Sequence, residues 1–257
     1  MISFDTIRAG LTQGEFFLEY LPTVSLTDGR CTGAEALIRW RRPAGVLQPM
    51  DFIPRAENTP VSGLLTYWVL DTVMAEIGDW LRANPNAHIG INVPPEILGR
   101  GGILHVAEKS GLIELAPQII LEITERGLPD LLGIEAINHA RVVGVRVALD
   151  DITLAGRANL AVLARANIDI IKLDKSLVSQ IGPQSPHPDW LDDIAALLQS
   201  SRLMVIAEGV ETELQFMTLR KTNIHEAQGF YFSRPIPAAI FIAYHREAPH
   251  CQPRPAP

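Results

Sequence analysis

Nine polar side chains recur at one kind of place in this chain. Each lies inside a short apolar run or at its C-terminal end. In order they are Glu35, Asn92, Glu122, Asp150, Asp151, Lys172, Asp174, Glu208 and Gln228. The carboxylates and the amide oxygen of Asn92 are hard oxygen donors, and such a set suits Mg²⁺ or Mn²⁺. Brought together without cations, these carboxylates would repel and raise each other's pKa values. Two divalent ions would offset that repulsion and make a hydrolytic site. The seven histidines show neither H-x-H nor H-E-x-x-H spacing, so a histidine-rich zinc site is not expected. Cys31 and Cys251 can form one bridge at most and supply no cysteine zinc site.

Taken singly, each residue has a plainer role. An aspartate at a strand end commonly caps the next helix. A buried glutamate is more often salt-bridged than catalytic, and Lys172 alone reads as an exposed strand-edge lysine. The joint pattern argues for chemistry, because charged residues are rarely buried unless paired or metal-bound.

Such a pattern needs elements that bring distant residues to one face. The apolar runs are Phe16–Leu26, Cys31–Trp40, His88–Val93, Ile119–Thr124, Val145–Leu149, Ile168–Leu173, Leu203–Ala207 and Ala227–Phe232. Several are near-continuous Ile, Val and Leu, as expected for strands buried on both faces. Between them lie amphipathic stretches over Gly63–Arg82, Leu131–Val143, Asn159–Ala166 and Trp190–Ser200. Alternating strands and helices imply βαβ units and a parallel sheet. Eight strands in a chain of 257 residues fit an α/β fold of the TIM-like (β/α)8 barrel type. A doubly wound sheet is the alternative, but neither G-x-G-x-x-G nor a P-loop is present. The Thr27-Asp28-Gly29 turn joins the first two runs and predicts an antiparallel first strand. In a barrel, the C-terminal strand ends converge on the catalytic face. From Asn92 onward the candidate positions are spaced by 30, 28, 22, 36 and 20 residues, which suits successive βα units.

Composition bounds the partners. Hydrophobic residues make up 47% and charged residues 20%, as in ordinary globular proteins. The 29 acidic and 22 basic side chains give a net charge of −7. That balance disfavours a long nucleic acid or an anionic membrane surface as partner. No signal-peptide pattern or run of membrane-spanning length is found, and a cytoplasmic location is expected. Residues 1–245 read as one catalytic domain. Residues 246–257, with Pro249, Pro253, Pro255 and Pro257, read as a disordered Pro-rich tail.

The ordered motifs are similar to those of a known family. They are Glu35-Ala36-Leu37-Ile38-Arg39-Trp40, Asp51-Phe52-Ile53-Pro54 with Ala56-Glu57, Trp68-Val69-Leu70, Ile91-Asn92-Val93 and Leu121-Glu122-Ile123-Thr124-Glu125. They continue with Asp150-Asp151, Ile171-Lys172-Leu173-Asp174, Ala207-Glu208-Gly209-Val210-Glu211-Thr212 and Gln228-Gly229-Phe230. Over residues 12–243 the chain resembles the EAL-domain family of bacterial cyclic di-GMP phosphodiesterases. The resemblance implies a TIM-like barrel with an antiparallel first strand. It implies hydrolysis of cyclic di-GMP to linear pGpG with two Mg²⁺ or Mn²⁺ ions. Glu35, Asn92, Glu122 and Asp150 would bind one ion, and Asp150, Asp151 and Glu208 would serve the second. Lys172 would hold or polarise the attacking water, with Gln228 supporting that network. Glu125 would anchor the loop after the Asp-Asp pair, and Glu211 would be a supporting carboxylate. Arg39 would contact a ligand phosphate, with Leu21 and Asp174 also on the substrate side. A homodimer is a further family-level expectation.

Two departures stand out. Leu21-Pro22 replaces the family's Gln-Pro, which removes one amide near the ligand. After Asp150-Asp151 the chain reads Ile152-Thr153-Leu154-Ala155-Gly156-Arg157-Ala158-Asn159, where the family has a Phe-Gly step, a Tyr and two Ser. The alternative to an enzyme is a cyclic di-GMP receptor or a protein-interaction regulator that binds without turnover.

Overall fold

The computed structural model describes residues 2–124, 131–153 and 167–247. Outside them lie Glu125, the loop beyond Thr153, the helical stretch predicted over Asn159–Ala166 and residues 248–257 of the Pro-rich tail, while Arg246, expected in that tail, ends a helix over Ala238–Arg246.

Nine strands form the sheet: β1 Phe16–Ser25, β2 Cys31–Arg42, β3 Gly45–Leu47, β4 His88–Asn92, β5 Ile119–Thr124, β6 Arg146–Ile152, β7 Ile170–Leu173, β8 Met204–Ala207 and β9 Glu226–Ala227. Their order is β1-β9-β8-β7-β6-β5-β4-β2-β3, and the β1–β2 pairing closes eight of them into a barrel. Strand β1 runs antiparallel to both neighbours. The pairs from β2–β4 through β8–β9 are parallel. The predicted hairpin is therefore the start of the barrel, and Gly29 turns it at φ 71°. The short β3 pairs with β2 alone and stands outside the closed ring.

The last run is shorter than its composition predicts. The run Ala227–Phe232 predicts a strand, but β9 covers only Glu226–Ala227. Gly229, at φ 152°, turns the chain where a Cβ would meet the backbone of Val210. Strand β6 is longer than expected and carries Asp150 and Asp151 within it.

Helices cover the outside. Helix α1 (Phe4–Thr12) precedes the barrel and is capped by Ser3; no periodic run in the sequence announced it. Helix α2 (Pro49–Ala56) leads to α3 (Pro60–Ala83). Helix α3 starts as a strong sequence signal should: the Thr59 side chain accepts from the Val61 N–H, and Pro60 fills the first turn. It buries Val61, Leu65, Val69, Val73, Ile77 and Trp80. Helices α4 (Gly102–Ser110) and α5 (Leu131–Val142) follow β4 and β5. The short helix α6 (Lys175–Val178) begins directly after β7. Among the described residues, no helix is long and apolar enough to cross a membrane.

Candidate active site

Alternation decides what the barrel interior holds. Successive strand residues point to opposite faces, so one face repeats every second position. Glu122, Asp150, Lys172 and Glu208 each follow an apolar residue two positions back. Those residues are Ile120, Ala148, Ile170 and Ile206, and they form a small buried cluster of their own inside the ring. The barrel thus has a polar top at the C-terminal strand ends, an apolar layer beneath it, and a base.

At the top, Lys172 is fully buried, not the exposed edge lysine that it resembles in isolation. Its Nζ donates to Glu35 Oε2 at 3.0 Å, and to Glu122 Oε2 at 2.6 Å. Glu208 Oε1 lies 2.7 Å from the same nitrogen and Asp150 Oδ2 lies 3.5 Å away. Burial drives the Glu122 carboxyl well above its ordinary pKa, and the Glu35 charge adds to the shift. Burial lifts Asp150 to about 6, opposed by the Lys172 charge. Glu208 is lifted to about 8, by burial first and by Asp150 second. For Lys172 burial acts the other way, but the four carboxylates outweigh it and hold the ammonium well above its usual range. One ammonium leaves such a set short of positive charge.

The donors fit divalent cations. Oxygens of Glu35, Glu122 and Asp150 lie within 4.8 Å of one another, and so do oxygens of Asp150, Asp151 and Glu208. The two groups share Asp150. Asn92 Nδ2 donates to Glu35 Oε1 at 2.7 Å, which leaves the amide oxygen as a further hard donor beside the first group.

Two backbone features make this convergence possible. On a regular strand Asp150 and Asp151 would face opposite sides. The β6–β7 register slips by one residue between Leu149 and Ile152, which is a bulge. Asp151 takes a left-handed φ of 59°, and its N–H donates to Asp150 Oδ1 at 2.8 Å. Both carboxylates therefore reach the top. The second feature is Gly90, two positions before Asn92. A Cβ there would collide with Glu122 Oε1, so only glycine leaves that carboxylate its place. Glycine inside an apolar strand signals such a close approach. In the sequence its only mark is a lone glycine within His88-Ile89-Gly90-Ile91-Asn92.

The remaining expected residues divide. Gln228 is buried, and its Nε2 donates to Thr23 Oγ1 at 2.7 Å. Leu21 is the register partner of Glu35 and sets an apolar side chain beside that carboxylate. Arg39 is buried near the same mouth. Its Nε donates to Glu19 Oε2 at 2.8 Å and its Nη1 to the Ile38 carbonyl at 3.0 Å. Glu19 was not singled out from the sequence, although the alternation of β1 puts it on the face of Leu21. Asp174 caps α6, accepting from the Ser176 N–H at 2.9 Å. Glu211 is solvent-exposed and stands outside the two carboxylate groups. Glu125 lies outside the described residues.

A cleft of about 650 Å³ opens beside the cluster. Glu35 and Asn92 line its inner end, and Glu57, Asn58, Ser62 and Glu96 line it farther out.

The chain is similar to known proteins over almost its whole length. The EAL domain family model matches residues 5–235. The probable cyclic di-GMP phosphodiesterase PdeB of Escherichia coli (strain K12) is 34% identical over 242 residues, covering 93% of this chain and 46% of PdeB. The solved EAL enzyme Bd1971, in its cAMP and cyclic-di-GMP bound form, superposes with a TM-score of 0.83 at 28% identity. That match covers 94% of this chain and 68% of Bd1971. The PaMucR phosphodiesterase in complex with c-di-GMP gives a TM-score of 0.82 at 28% identity, over 92% of this chain and 98% of that one. The chain spans less than half the length of the curated relatives that it matches first. With the motif series, the antiparallel first strand and the match over residues 5–235, the chain belongs to the EAL domain family.

Proposed function

We propose that this chain hydrolyses cyclic di-GMP to linear pGpG in a reaction that needs two divalent cations, Mg²⁺ or Mn²⁺. The observation that carries the reading is the pair of carboxylate groups sharing Asp150. Glu35, Glu122 and Asp150, with the Asn92 oxygen, would hold one ion. Asp150, Asp151 and Glu208 would hold the other. When bound, such ions lower the pKa of water and offset charge that develops on a phosphodiester.

The chain's own residues supply the rest. Lys172 keeps a fixed positive charge among the carboxylates, where it stabilises negative charge developing at the reacting phosphorus. Its three N–H donors meet Glu35, Glu122 and Glu208, and once cations hold those carboxylates one donor can turn to a water for in-line attack. Gln228 holds its amide against Thr23 at the adjoining strand, and among the described residues its buried Oε1 meets no hydrogen-bond donor. Arg39, with two of its N–H groups fixed, keeps the outer edge of its guanidinium for a ligand phosphate. Leu21 puts an apolar contact where the family's amide stands.

The test is incubation with cyclic di-GMP and Mn²⁺, read by chromatography. The expected product is pGpG, lost on adding EDTA and lost in Glu35→Ala. Tight binding with no pGpG over hours would overturn hydrolysis in favour of a receptor. Neither binding nor turnover would favour a protein-interaction role.

A further inference from the structure

Glu96 joins the two walls of the cleft beside the carboxylate cluster. It sits four residues after Asn92, on the segment that leaves β4. Its Oε1 accepts from the Asn58 backbone N–H at 2.9 Å and from the Ser62 hydroxyl at 3.0 Å. Asn58 lies in the turn between α2 and α3, and Ser62 in the first turn of α3. All three residues line the cleft, with Glu35 and Asn92 at its inner end.

The tie acts where the backbone needs it. Asn58 holds a left-handed φ of 57°, a conformation that costs free energy unless its surroundings fix it. Ser62 is buried, so its hydroxyl needs an acceptor. One carboxylate oxygen meets both demands. It thereby fixes the distance between the β4 end, which carries Asn92, and the turn on the opposite wall.

We propose that Glu96 is a positioning residue that sets the width of this cleft for the cyclic dinucleotide. This rests on the phosphodiesterase reading of the same site. Because a single oxygen accepts both bonds, an amide oxygen can replace it and the negative charge is not required.

Two measurements on the Mn²⁺-loaded protein test the proposal. Steady-state kinetics of Glu96→Ala should show KM raised about tenfold with kcat within about twofold, the pattern of lost ground-state positioning. Glu96→Gln should restore KM. A fall in kcat that matches the rise in KM, an unchanged KM in Glu96→Ala, or a Glu96→Gln that behaves like Glu96→Ala overturns it. Amide hydrogen exchange at Asn58 reads the tie without substrate. Exchange should quicken about tenfold in Glu96→Ala and stay slow in Glu96→Gln. Unchanged exchange in Glu96→Ala overturns the tie whatever the activity. The expected exchange pattern in a protein that neither binds nor hydrolyses cyclic di-GMP would instead overturn the phosphodiesterase reading, and with it the consequence for substrate.

Discussion

The two ends of the barrel interior bury polar groups in opposite ways. At the top, four carboxylates surround Lys172, and the shortfall of positive charge makes a cation site. At the base, strands β4, β6 and β9 carry His88, Arg146 and Glu226, whose side chains share the inner face by alternation. His88 Nε2 lies 3.5 Å from Glu226 Oε2. Burial, with the Arg146 charge behind it, lowers His88 to about 3, so it stays neutral. Burial lifts Glu226 to about 7, against a Thr32 hydrogen bond and the Arg146 charge. The base sets one carboxyl and a neutral imidazole beside Arg146, whereas the top crowds four carboxyls round one ammonium, and without cations it relieves them only by taking up protons. Burial of ionisable groups therefore does not by itself mark a catalytic site; excess charge of one sign does.

The sharpest way to break this contrast is to delete one group from each end. Lys172→Met should lower kcat/KM by about 10²–10³-fold. It should also destabilise the metal-free protein by roughly 3–5 kcal/mol, because it leaves buried carboxylates uncompensated. Urea denaturation in EDTA measures the second effect. Glu226→Gln should leave kcat/KM within about threefold, since its partners are His88, Thr32 and Arg146 and none belongs to the carboxylate groups. Equal losses at both ends would break the comparison.

Gly90→Ala comes next. The new methyl displaces the Glu122 carboxylate and should cost up to about 10²-fold in kcat/KM. Titration with Mn²⁺ should then need more metal to reach half-maximal rate.

The pH dependence of stability sharpens the base. The folded-state pKa of Glu226 stands at about 7 against an ordinary 4.5. The unfolded chain gives up this proton first, so stability falls as pH rises from 4.5 to about 7 and then levels off. Urea midpoints across that window should fall less in Glu226→Gln than in wild type, the remaining fall coming from Glu122, Asp150 and Glu208. Addition of Mn²⁺ should not alter the difference.

The smallest effect expected is at the edge of the top. Asp174→Ala should cost about 1 kcal/mol of stability through the lost cap, measured by denaturation, with KM unchanged. A raised KM would return Asp174 to the substrate side, where the resemblance had put it.

These contrasts also explain what the sequence disclosed. The strands were legible because Ile, Val and Leu fill both faces of each run. The candidate site was legible because its charges interrupt those runs at one end. The bulge was not, since strand alternation alone sends Asp151 away from Asp150. The base was not, since His88, Arg146 and Glu226 stand singly at strand starts, where a polar residue is ordinary. Glu96 was hidden for another reason: its partners are a backbone N–H and a hydroxyl many residues away, and no spacing records them.

The layer of Ile120, Ala148, Ile170 and Ile206 has a consequence for inheritance as well as for energetics. On β5 to β8 it offers no donor or acceptor side chain between the two ends, whereas on β9 the inner positions Glu226 and Gln228 follow one another directly. Beneath β5 to β8, substitutions can then accumulate at the base without retuning the chemistry above. A barrel layered in this way lets evolution edit one part of its base separately, while the part under Gln228 stays tied to the chemistry above.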